Sequence, residues 1–103
     1  MSAELLLEIQ RAVERAAECP ASHVESIPVL EAFRGQVVWE GVVEVFDLIG
    51  HPTAPKLYAW SHATDDQDNP KRHVTVLHSH PVTSPVLAVR AAILQEQREL
   101  AEN

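Results

Sequence analysis

Closely spaced histidines are the first residues in this 103-residue chain whose types could do chemistry. His78 and His80 stand one residue apart at the end of a predicted strand and are followed by Pro81. Side chains two residues apart on a strand point to the same face, so both imidazoles would be aimed in one direction. Paired imidazoles are common zinc ligands. The spacing therefore predicts a candidate pair of metal ligands.

The residues around and after this pair bear on that prediction. The string His-Ser-His-Pro at residues 78–81 resembles the His-x-His-Pro segment of JAMM-type zinc isopeptidases. In that family a serine stands eight residues after the second histidine, and a metal-binding aspartate stands three residues further on. Those positions are Ala88 and Ala91 here. Because one ligand that the family requires is absent, we expect the two histidines simply to end a strand.

A second candidate metal site uses His62 and His73, which flank an acidic loop between two predicted strands. In one register of that hairpin the two imidazoles face each other. Asp66, or its neighbours Asp65 and Asp68, would then complete a nitrogen and oxygen site for zinc or another divalent ion. In another register the same residues form an ordinary solvated hairpin, because aspartates favour turns.

An aromatic row is the third feature with chemical potential. Tyr58, Trp60 and His62 share one face of a predicted strand, and Trp39 lies on its expected neighbour. Such a row can line a ligand pocket. The alternative is core packing, because aromatic side chains contribute much of the apolar area that cores bury.

Arg90 interrupts the apolar side of the predicted C-terminal helix and joins the candidate ligand-binding residues. Its stem either packs while its head reaches solvent, or it pairs with a sheet carboxylate such as Glu40, Glu44 or Asp47. Glu40 and Glu44 are themselves about 13 Å apart on a regular strand. That exceeds the roughly 5 to 9.5 Å between paired glycosidase carboxylates, so a glycosidase pair is not favoured.

Charge and composition exclude several functions. The net charge is −7, from 15 acidic and 8 basic residues, so the chain repels a polyanion and we expect no nucleic-acid partner. The order of helices and strands resembles that of double-stranded-RNA-binding domains, but such recognition would need a basic stripe. The single cysteine, Cys19, and the lack of a long apolar run favour a cytoplasmic protein with no membrane partner.

Hydrophobic periodicity predicts the elements that would position these residues. A period of 3.6 indicates a helix over Ala3 to Cys19, and Ser84-Pro85 begins a second helix that continues over 86–100. Valine-rich and aromatic runs with a period of two indicate four strands between the helices. The strands are expected at 27–33, 36–49, 56–62 and 72–80, with a turn at Arg34-Gly35 and a bulge or bend at Gly41.

Together these elements predict one domain over residues 1–103 of the α+β class, in the order α-β-β-β-β-α. Short connections favour a four-stranded antiparallel meander, and the two helices are expected to cover one of its faces as a two-layer sandwich. The strand at 36–49 is apolar on both sides. We therefore expect the second face either to curl on itself or to be buried against another copy of the chain.

Four motifs in the middle of the chain resemble those of other proteins. The motifs are Phe-Arg-Gly-Gln at 33–36, Val-Trp-Glu-Gly-Val-Val-Glu-Val-Phe at 38–46, Gly-His-Pro at 50–52 and Tyr-Ala-Trp-Ser-His at 58–62. They resemble a group of short uncharacterised bacterial proteins, and the likeness spans roughly residues 28 to 93. The resemblance implies a free-standing bacterial cytosolic protein and implies no activity, cofactor or partner.

Two functions from different classes follow. The first is an α+β domain without enzymatic activity or cofactor that acts through protein–protein contacts as a homodimer. The alternative is a small-molecule-binding or metal-binding domain with hydrolase or isomerase activity, built around Tyr58, Trp60, His62 and His73.

Overall fold

A computed structural model describes the backbone of residues 3–102 and the side chains of residues 3–101. The described residues form helix α1 (Ala3–Ala17), strands β1 (Ala21–Phe33), β2 (Gln36–Leu48), β3 (Lys56–Ala63) and β4 (Lys71–Leu77), and helix α2 (Pro85–Glu102). The strands form one antiparallel meander in the order β1-β2-β3-β4. The α+β class, the order of elements and the meander are confirmed. Neither helix is long and apolar enough to cross a membrane.

The two helices lie on opposite faces of the sheet, so the expectation that both cover one face of a two-layer sandwich is wrong. Buried α1 residues pack on one side of β2 and β3, against Phe46, Leu48, Leu57 and Ala59. Buried α2 residues pack on the other side, against Val43, Val45, Tyr58 and Trp60. We call these sides the α1 face and the α2 face. Because consecutive residues of both strands are apolar, each face needs its own cover, and one helix supplies each.

Strand β1 begins at Ala21, six residues before the expected start at Ile27. It pairs with β2 along its whole length, from Ala21 opposite Leu48 to Phe33 opposite Gln36. A register shift between His23 and Glu25 inserts one unpaired residue. That bulge breaks the two-residue period, which is why the sequence pattern shows only the later part of the strand.

The sheet splits beyond the short ladder that joins β2 to β3. That ladder extends only from Glu44 opposite Ala59 to Asp47 opposite Lys56. The outer part of the β1–β2 hairpin, residues 28–42, therefore extends past the pairing with β3, and we call it the arm. Its tip is the predicted turn, in which Arg34 and Gly35 both have positive φ, as a type I′ hairpin turn requires.

Gly41 does not form the expected bulge or bend. It pairs in register with Val29, and the register shifts lie elsewhere, at His23/Glu25 and Glu31/Ala32. The indole of Trp39 instead lies over Gly41, so a Cβ atom at position 41 would be 2.9 Å from the Cη2 atom of Trp39. The glycine therefore provides space for an aromatic side chain two residues away on the same strand face.

Replacing Gly41 with alanine is expected to displace the Trp39 indole and to lower the free energy of unfolding by about 1 kcal/mol, through overpacking. Urea denaturation followed by tryptophan fluorescence measures both effects. In a Trp39→Leu background the same substitution should be neutral or stabilising, because the ring is gone and alanine restricts the unfolded chain. An equal loss of stability in both backgrounds would show that the indole is not the cause.

Candidate functional site

Trp39 and Trp60, two predicted ligand-binding residues, meet edge to face. Their ring centroids are 5.5 Å apart and their planes make an angle of 72°. Trp60 is buried in the core beneath α2, whereas Trp39 is partly exposed on the arm. The aromatic row is thus largely core packing. Trp39 and the edge of Trp60 also border a cleft between α2 and the sheet.

Tyr58, the next predicted ligand residue, is buried on the α2 face. Its hydroxyl lies 2.6 Å from Nδ1 of His78, so the first histidine of the His-Ser-His-Pro string is bound to a core tyrosine. Strand β4 ends at Leu77 instead of His80, and a bridge between Ser79 and Val82 turns the chain there. Burial raises the pKa of the Tyr58 phenol, and the positive charge of Lys56 opposes that shift more weakly.

Arg90 pairs with a sheet carboxylate, but with one that the sequence analysis did not name. Its Nε atom donates to Glu31 Oε1, across the contact between α2 and β1. Glu31 pairs with Trp39 in the sheet, so its side chain belongs to the α2 face. Glu44, by contrast, alternates with Val43 and Val45 and points to the α1 face. Arg90 is not among the residues that line the cleft.

The structure does not bring His62 and His73 together as a metal-ligand pair. His62 is opposite Arg72 in the β3–β4 ladder, and His73 is opposite Ser61. Neighbouring residues of a strand point to opposite faces, so the two imidazoles lie on opposite sides of the sheet. The register that would make them face each other is not the one formed. The Nδ1 atom of His73 is buried on the α1 face, with no hydrogen-bond partner among the described residues.

Asp66, the third predicted ligand, is used within its own loop. Its carboxylate accepts a hydrogen bond of 2.9 Å from the backbone N–H of Asp68 and a longer one from the side chain of Asn69. The hydrogen bond from the backbone N–H of Asp68 is the main cause that lowers the pKa of Asp66, and the hydrogen bond from the Asn69 side chain lowers it less. Within residues 3–102, no group of three or more His, Cys, Asp or Glu side chains is arranged to hold a metal ion.

A buried carboxylate lies at the point where the sheet splits, and the sequence predicted for it only a candidate pairing with Arg90. Glu44 is fully buried on the α1 face. Its Oε1 atom is 2.8 Å from Nε2 of His23 and also accepts a hydrogen bond from the hydroxyl of Ser26. Its Oε2 atom has no partner among the described residues. The sequence signal was its place within the apolar run at 42–46, directly between Val43 and Val45.

The Ser26, His23 and Glu44 side chains are not arranged as a nucleophilic triad. In such a triad the acid and the serine contact different nitrogens of the imidazole. Here Nε2 of His23 is 2.8 Å from the carboxylate and 3.4 Å from the serine hydroxyl, so one nitrogen serves both. The serine hydroxyl is donated to the carboxylate itself. The geometry fits a structural cluster that satisfies a buried charge.

The arm carries a cluster of exposed apolar side chains, which we call the arm surface. Its members are Leu30, Phe33, Val37, Val38 and Val42, each between 41 % and 64 % exposed. Leu30 and Val42 lie on the α1 face, on the same side as Glu44, at positions that α1 does not reach. Leu30 and Val42 therefore extend the core of the α1 face onto a part of the sheet that has no helical cover, whereas Phe33, three residues after Leu30, lies on the other side of the arm.

Comparison of the chain with family models, with curated proteins and with solved structures gives no match.

The hydrogen bonds to Glu44 are expected to stabilise the fold. Replacing Ser26 or His23 with alanine removes one partner from a buried carboxylate and should lower the free energy of unfolding by about 1 to 3 kcal/mol. Urea denaturation provides the measurement. Ser22→Ala, at an exposed serine of the same strand, is the matched control and should change stability by less than about 0.5 kcal/mol. Equal effects at Ser22 and Ser26 would contradict a stabilising role for the Ser26 bond.

Tyr58 is the one tyrosine of the chain, so its ionisation can be followed by near-ultraviolet absorbance without interference. We expect the folded protein to titrate above pH 10 and the urea-unfolded chain at its ordinary pKa. The folded state holds this proton more tightly, so stability should fall as the pH rises above 10, through the folded pKa. This loss of stability above pH 10 should be absent from the Tyr58→Phe variant. A folded-state titration at or below the unfolded one would disprove the assignment.

Proposed function

We propose that this chain is a cytosolic protein-interaction domain that forms a homodimer through the arm surface. The observation that carries the proposal is the absence of helical cover over Leu30 and Val42, on a sheet face that is core elsewhere. Large contiguous apolar patches on small domains mark interaction sites, whereas scattered apolar residues do not. Here the exposed residues are clustered on one hairpin.

The size of the arm surface fits a dimer of moderate affinity. Side chains of this size expose roughly 100 to 200 Å² when fully free, so the members other than Phe33, each about half exposed, together present on the order of 300 Å². A standard interface buries about 800 Å² on each partner. The arm surface would thus form the apolar centre of such an interface, with polar residues around it. A dissociation constant in the micromolar range is the expectation.

Face-to-face packing is favoured over pairing of strand edges. Strand β1 is an edge strand of the sheet and forms one side of the arm, and it contains Pro28, which has no N–H to donate. It also contains the bulge near Val24. Both features are devices that protect an edge from adding another strand. The exposed sheet face of the arm has no such protection.

A second copy of the chain is the occupant that best fits this face. A flat sheet face packs well on another flat sheet face, and twofold symmetry presents the same patch from both partners. Charge supports the same arrangement. Glu40, opposite Leu30, and Arg34, at the tip, are both exposed, and a twofold axis between them would bring Arg34 of one copy toward Glu40 of the other.

Light scattering at tens of micromolar protein should give twice the chain mass of 11.4 kDa. Leu30→Glu places a carboxylate in the apolar centre of both partners and should weaken the dimer by at least about tenfold, shifting the average mass toward that of the monomer at the same concentration. Circular dichroism checks that the variant is folded.

Leu94→Glu is the matched control, because Leu94 on α2 is 54 % exposed and Leu30 is 57 % exposed. It is the same leucine-to-glutamate substitution at a position outside the arm, and it should leave the dimer intact. A monomeric wild-type protein would overturn the proposal. So would dissociation of the dimer by Leu94→Glu but not by Leu30→Glu, because the interface would then lie on α2.

A further inference from the structure

A cleft of about 720 Å³ lies between α2 and the sheet, on the face opposite the uncovered side of the arm. It opens where β2 leaves β3, so Trp39 and Glu40 border it from the arm while Trp60 and Val74 border it from the β3–β4 hairpin. Small-molecule sites have volumes of roughly 300 to 1,000 Å³ and are mainly apolar with a few polar groups. The cleft has the size of such a site.

On the side of α2 that faces the sheet, the residues change from apolar to acidic along the helix. Val89 is fully buried, and Ala92 and Ile93 pack against the same core. Glu96 and Glu99, one and two turns further on, border the cleft. An apolar stripe holds a helix on a sheet, and an acidic continuation of the stripe does not. The cleft therefore has an apolar inner end and an acidic wall formed by the second half of α2.

The charges that border the cleft are predominantly negative. Glu96 and Glu99 of α2 are carboxylates, and Arg72 is the one lysine or arginine among the bordering residues. Glu40 also borders the cleft, but its place opposite Leu30 puts its side chain on the α1 face. Glu96, Glu99 and Arg72 take no part in the ion pairs found among the described side chains, residues 3–101. The electrostatic potential in the cleft thus favours a cation.

We propose that the cleft binds a small organic cation with an apolar body. The ammonium group lies at Glu96 and Glu99, and the apolar body contacts Ile93 and the exposed part of Trp39. Carboxylates and an indole are the groups that recognise alkylammonium ions in proteins, by ion pairing and by cation–π attraction. The site is separate from the arm surface, so the monomer and the dimer would bind the cation with the same affinity.

The chain itself supplies the reporter for a test. Its two tryptophans, Trp39 and Trp60, both border the cleft, so their fluorescence reports its occupancy. Benzyltrimethylammonium is the cationic probe, with phenylacetamide as the neutral counterpart and phenylacetate as the anionic one. We expect a saturable change with the cation at a Kd of about 0.1 to 1 mM, and binding at least about tenfold weaker with the other two.

Substitutions on opposite walls should act in opposite directions. The double variant Glu96→Gln, Glu99→Gln should weaken binding of the cation by about tenfold, and Arg72→Gln should strengthen it by about threefold. The matched control is Glu4→Gln, Glu25→Gln, which removes two exposed carboxylates that do not border the cleft. It should leave the Kd unchanged, which separates a local site from the net charge of −7.

Three results would overturn the proposal. One is a fluorescence change that does not saturate up to about ten times the expected Kd. Another is equal binding of the cation and the anion. The third is an equal effect of the Glu96/Glu99 variant and the Glu4/Glu25 control, which would reduce the attraction to overall charge. All these variants change exposed side chains, and thermal unfolding verifies that each is folded.

Discussion

The burial of both faces of β2 and β3 is the constraint on which the rest of the structure depends. Over residues 43–46 of β2 and 57–60 of β3, successive residues are buried alternately on the α1 face and the α2 face. One helix cannot cover both sides of a sheet, so α1 and α2 must separate to opposite faces. The core is consequently two apolar clusters with a sheet between them.

That core occupies only part of the sheet, and the remainder gives the molecule its two open surfaces. Beyond Glu44 and Ala59 the strands β2 and β3 no longer pair. On the α1 face the arm continues without cover, and on the α2 face the second half of the helix extends over a cleft. The surface proposed for dimerisation and the cleft proposed to bind a cation therefore have one structural origin, the short ladder between β2 and β3.

Glu44 shows how polar chemistry is accommodated at this junction. It is the β2 residue at which pairing with β3 ends on the side of the arm. It is fully buried, and its partners from β1 are His23 and Ser26. A buried carboxylate is costly unless donors satisfy it, so the bulged start of β1 has to place those donors correctly. The bulge near Val24 and the buried charge are in this sense parts of one arrangement.

Amphipathic periodicity, Pro85 and the Arg34-Gly35 turn are local signals, and they predict the helices and strands. The sequence also placed Trp39 on a strand next to that of Trp60, and it left Arg90 either reaching solvent or paired with a sheet carboxylate. The strand register, which separates His62 from His73, and the face that each helix covers are visible only in the folded chain. Register and layer order depend on contacts between distant residues and on single-residue bulges, and a one-residue shift moves a side chain to the opposite face.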